Sequence, residues 1–71
     1  MSVLRRLHEN RMPRAGELVK IFQDERIIAQ GYVINVDRKT ISIAGKGMVD
    51  LDTDEVRRGL HDGSLRIERT T

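Results

Sequence analysis

The spacing of apolar positions along the chain changes period three times, and each change predicts an element. Near the N-terminus, Val3, Leu4 and Leu7 share one face of a short helix that Ser2 can cap and that runs to about Asn10. Met12-Pro13 ends it, because the residue before a proline is pushed out of helical conformation. Gly16 opens a strand over Glu17–Phe22, and the polar run Gln23-Asp24-Glu25-Arg26 predicts a hairpin turn. A long second strand follows over Ile27–Val36. Its alternate set Ile28, Tyr32, Ile34 and Val36 reads as the inward face, broken only by Gln30. Gly31 inside this run predicts a bulge or sharp bend.

Asp37-Arg38-Lys39 predicts a tight turn into a third strand, Lys39–Ala44, with Ile41 and Ile43 inward. Gly45-Lys46-Gly47 turns the chain into a short fourth strand, Met48–Leu51. The period then switches to that of a helical turn, capped by Asp52 or Thr53, with Val56 and Leu60 on one face and Gly63 as its stop. Ser64–Arg69 returns to strand, with Leu65 and Ile67 inward. The sum is a mainly β domain. A small five-stranded SH3-like or Sm-like barrel, with an N-terminal helix and a helical turn before the last strand, fits these elements. A competing α+β arrangement, a flat meander with one helix across it, uses the same ones.

At 71 residues, 38% of them hydrophobic, the chain supports one domain with a thin core, and no cysteine is present to staple it. Tyr32 and Phe22 are the only aromatics; both fall in apolar-patterned strands and are expected in the core. No apolar run is long enough for a membrane span, and Arg5-Arg6 interrupts any signal-peptide core, so a cytoplasmic protein is expected.

The charge distribution divides the chain. Residues 1–14 hold Arg5, Arg6, Arg11 and Arg14 against Glu9, an excess of +3, while residues 15–71 carry −1. A basic arm (1–14) on a near-neutral body (15–71) is an electrostatic footprint for nucleic-acid phosphate or an acidic partner. Catalytic and metal chemistry find little support. Asp50-Leu51-Asp52-Thr53-Asp54 begins like a calcium loop but has Glu55 where glycine is required and His61 where glutamate is required. His8 and His61 alone make no zinc site, and no serine has a base at suggestive spacing. Gly45-Lys46-Gly47 lacks phosphate-loop spacing, although Lys46 could meet a phosphate from an exposed turn. Neither catalytic residues nor a metal or other cofactor is expected.

One stretch carries a family resemblance. In Ala29-Gln30-Gly31-Tyr32-Val33-Ile34-Asn35-Val36-Asp37 the glycine and the aspartate six residues later, with apolar alternation resuming at Ile41 and Ile43, resemble the first signature of the Sm-like family. Glu9-Asn10-Arg11-Met12-Pro13 is similar to the end of the arginine-bearing helix that precedes the barrel in its bacterial members. The family's second signature, with its Lys-His pair, is absent, and residues 52–62 form an insertion before the last strand. The resemblance implies RNA binding by a homo-oligomeric ring, with Arg38 and Lys39 at the RNA-facing turn and Arg5, Arg6 and Arg11 as a basic rim.

The residues expected to bind nucleic acid are therefore Arg5, Arg6, Arg11, Arg14, Arg38, Lys39 and Lys46. The alternative is a protein-interaction module, an accessory protein of phage or plasmid type, docking through Val3, Leu4 and Leu7.

Overall fold

A computed structural model describes residues 11–69. The expected helix over 2–10, and with it Val3, Leu4, Arg5, Arg6 and Leu7, lies outside them. The described chain runs β1 (Leu18–Gln23), β2 (Arg26–Val36), β3 (Thr40–Ala44), β4 (Met48–Asp52), α1 (Thr53–Asp62) and β5 (Leu65–Arg69). All five strands pair antiparallel in one sheet of order β4-β3-β2-β1-β5.

The sheet is open, which corrects the expectation of a closed barrel. Its edges β4 and β5 do not pair, because the segment joining them is a ten-residue helix rather than a single turn, and that helix packs against both. Asp52 caps the helix by accepting the Glu55 N–H at 3.0 Å, and Asp54 and Glu55 sit in the favourable first turn. Gly63, at φ +89°, ends it in left-handed conformation and donates to the Gly59 carbonyl. Thr53, not needed as the cap, is buried. Its hydroxyl and N–H donate to the carbonyls of Asp37 and Lys39, pinning the helix start to the β2–β3 turn. Gly59 is the residue that lets the helix lie close, since a Cβ there would stand 2.4 Å from the Leu65 side chain.

The core lies between helix and sheet: Val56 and Leu60 from α1 meet Val19, Ile21, Ala29, Val33, Ile41, Ile43, Leu65 and Ile67. At the N-terminal side Met12 packs on this cluster and Pro13 is buried, so the chain from Arg11 onward belongs to the folded body.

Strand β2 reverses the expected orientation. Its buried residues are Ala29, Gly31 and Val33, while Tyr32 and Ile34 face solvent and Ile28 and Val36 are half-buried. Two register shifts explain this. Ile28 is the extra residue between the pairs Phe22↔Ile27 and Ile21↔Ala29, and Ile34 is extra between Val33↔Ile43 and Asn35↔Ser42. Each bulge shifts the two-residue alternation by one. Gly31 itself is no bulge. Its φ of +144° and the 2.1 Å that would separate an added Cβ from the Ala44 carbonyl oxygen show a site of close backbone approach. Tyr32 is therefore not core; Phe22 is half-buried, with the Arg66 guanidinium 4.3 Å above its ring.

The β1–β2 hairpin turns through Asp24 and Glu25, both at positive φ (48° and 72°) without glycine. Replacing the pair by Asn-Gly is expected to stabilise the fold by about 0.5–1 kcal/mol, read from chemical denaturation. Gly31→Ala is expected to cost about 3 kcal/mol in the same assay, since neither carbonyl nor backbone angle can yield cheaply; a loss below about 0.5 kcal/mol would contradict the close approach.

Candidate nucleic-acid interface

Antiparallel pairing sorts the expected cationic residues by sheet end. The chain enters at the end where β1 starts. The β2–β3 turn and the start of α1 lie at that same end, and β5 finishes there. Arg11, Arg14, Arg38 and Lys39 therefore share one end of the sheet. Lys46, in the β3–β4 turn, sits at the opposite end, so the structure does not bring it to the others.

The geometry of this end is fixed by two carboxylates. Glu17 accepts the Arg14 backbone N–H at 2.7 Å and the Arg69 Nε–H at 3.1 Å, with the Arg11 guanidinium at 4.0 Å. Arg69 also donates to the carbonyls of Arg11 and Met12, so the last strand clamps the root of the arm. The Gly16 N–H to the Val33 carbonyl (2.7 Å) and the Val33 N–H to the Glu17 carbonyl (2.9 Å) extend the β1–β2 ladder into this root. Sequence reasoning missed this clamp, because its partners stand 52 residues apart and neither belongs to a local pattern.

The second carboxylate is Asp37. It accepts the N–H groups of Lys39 (2.8 Å) and Thr40 (2.7 Å) and the Asn35 amide, closing the turn from within. The backbone donors of Thr40 and Lys39 hold its carboxyl below the usual carboxylate range. For Glu17, burial pushes the pKa up, but the Arg14 N–H and the nearby Arg69 and Arg11 outweigh it and the net direction is down.

Two other carboxylates at this end are committed, Asp52 to the helix cap and Asp54 to an ion pair with Arg57 at 2.9 Å, while Glu55 is exposed and forms no salt bridge among the described residues. The side chains of Arg14, Arg38 and Lys39 are exposed and form no salt bridge among the described residues, although the Lys39 charge lies near enough to Asp37 to help lower its pKa. They are the available cations. Arg11 is shared with Glu17.

The acidic run that begins like a calcium loop is divided between a strand, a cap and a helix, with Asp50 on β4. Among the described residues no three His, Cys, Asp or Glu side chains assemble as a metal site. No helix among them is long and apolar enough to cross a membrane. Compared with known proteins, the chain matches no protein-family model, no curated protein and no solved structure.

The Glu17 clamp has a pH signature. The carboxylate ionises more readily folded than unfolded, so its stabilisation is complete above its ordinary value of 4.5 and is lost as pH falls through the lower folded value. Glu17→Gln is expected to lower stability at neutral pH by about 1–2 kcal/mol and to flatten the acid limb of a Tm-against-pH curve. An unchanged acid limb would show that the clamp contributes nothing.

Proposed function

We propose that this chain is a non-enzymatic RNA-binding domain that holds the phosphate backbone at one end of its sheet. The observation that carries the reading is the convergence of three exposed cations that form no salt bridge among the described residues, Arg14, Arg38 and Lys39, on the end from which the arm bearing Arg5 and Arg6 departs. The resemblance of residues 29–37 to the first Sm-like signature supports RNA as the nucleic acid. Turn cations held by the Asp37 turn and the cations of an arm whose root the Arg69 clamp holds together supply the phosphate contacts. At the described end the formal charges of Arg11, Arg14, Arg38, Lys39 and Arg69 balance those of Glu17, Asp37, Asp52, Asp54 and Glu55, so binding rests on short-range contacts and on the arm.

Five phosphate contacts on a single strand give a log–log salt slope of about −3.5. Fluorescence anisotropy with a labelled RNA of about 20 nucleotides, between about 50 and 200 mM salt, measures it. Replacing Arg14, Arg38 and Lys39 together by alanine is expected to reduce the slope by about 2, and Lys46→Ala to leave it unchanged. Absence of binding at the lowest salt would contradict the proposal.

A second reading, a protein-assembly module, is favoured by a different observation: on the sheet face away from the helix one row, Leu18, Tyr32, Ala44 and Met48, is apolar across four strands.

A further inference from the structure

Arg69, the last residue of β5, is a cation at the same sheet end as Arg14, Arg38 and Lys39, yet only 15% of its side chain is exposed. Its donors are used inside the molecule. The Nε–H meets Glu17 at 3.1 Å, and the Nη2 group donates to the carbonyls of Arg11 and Met12. Its charge faces the Glu17 carboxylate, which is itself 20% exposed. A phosphate approaching this end meets three exposed cationic side chains and a fourth that is already engaged.

Two kinds of contact hold the root of the arm, and they do different things. Met12 packs on the core and Pro13 is buried. Such contacts set a depth, since apolar burial is non-directional. The bonds from Arg69 set a direction, because each needs an N–H aimed at a carbonyl oxygen and the guanidinium is a planar fork. Two successive carbonyls are thereby set against β5. Arg14, at the other end of the root, is held by Glu17 alone: its N–H donates to the carboxylate, and its carbonyl accepts the Glu17 N–H at 3.1 Å.

We infer that Arg69 is a positioning residue for RNA, an inference that rests on the proposed RNA binding. It contacts no phosphate. It directs the arm that carries Arg5 and Arg6 toward the strand held by Arg14, Arg38 and Lys39. Arm and turn are two binding elements in one chain, so the arm contributes in proportion to its effective concentration at the strand the turn holds. Without the Arg69 bonds the root turns about the backbone of Arg11 and Met12, and that concentration falls. No phosphate contact is lost, so the salt dependence of binding stays as it was.

Lysine is the discriminating replacement. Arg69→Lys keeps the charge beside Glu17 and the attraction of this end for RNA, but an ammonium on a flexible stem lacks the planar fork that fixes the two carbonyls. Fluorescence anisotropy with a labelled RNA of about 20 nucleotides compares Arg69 with Arg69→Lys, once with Arg5 and Arg6 present and once with both replaced by alanine. Circular dichroism melting sets the assay temperature well below unfolding for all four chains. With the arm cations present, Arg69→Lys is expected to weaken binding about three- to fivefold at an unchanged log–log salt slope. With Arg5 and Arg6 replaced, it is expected to change nothing. An equal loss in both backgrounds would make the role merely structural and overturn the inference. A slope smaller by about 0.7 would make Arg69 a phosphate contact and overturn it as well, as would binding indifferent to Arg69→Lys. Failure of the unsubstituted chain to bind RNA at the lowest salt is a separate result, which overturns the RNA-binding proposal and this inference with it.

Discussion

A single antiparallel sheet of five short strands has two faces and, among the described residues, one helix with which to cover them. The structure depends on how α1 is held over the face it covers. Its start is fixed to the β2–β3 turn by Thr53, its end by the Gly63 cap, and its middle is brought onto Leu65 by the absence of a side chain at Gly59. With both edge strands joined to it, the helix replaces the strand pairing that would otherwise close the sheet. Ile21, Ile41 and Ile43 are fully buried as a result.

That one-sided solution determines what each other part of the molecule can do. Because the connections are local, turns and termini collect at the two sheet ends. The arm root, the Asp37 turn and the helix start come together at one of them. Glu17, Asp37 and Asp52 there are used internally, in a clamp, a turn and a cap, and this leaves Arg14, Arg38 and Lys39 without a salt bridge among the described residues. The face that α1 does not cover carries the apolar row Leu18, Tyr32, Ala44 and Met48.

Much of this was legible in the sequence. Five strands in the right order, the three hairpin turns, the helix with its acidic first turn and its Gly63 stop all follow from local pattern, and local pattern is what antiparallel hairpins use. The phase of β2 was not legible. Large side chains at Ile28, Tyr32, Ile34 and Val36 suggest the buried face, but the residues the core accepts are Ala29, Gly31 and Val33. Small residues under a crossing backbone leave no hydrophobic signal, and two bulges break the alternation on which the reading relies. Barrel closure was likewise not decided locally: whether β4 and β5 meet depends on the length and packing of α1. Of the candidate interface, the cationic turn could be read from Asp37-Arg38-Lys39, whereas the Glu17–Arg69 clamp that roots the arm links the two extremes of the described chain.

The central claim is that α1 is an integral wall of the core and not an appendage to a self-sufficient sheet. Native-state amide hydrogen exchange tests it most directly. The account predicts that the amides of Val56, Gly59 and Leu60 exchange with the same opening free energy as those of Ile21 and Ile43, through one global unfolding event. Exchange of the helix through a lower-energy opening, with the β1–β2–β3 amides still protected, would contradict it.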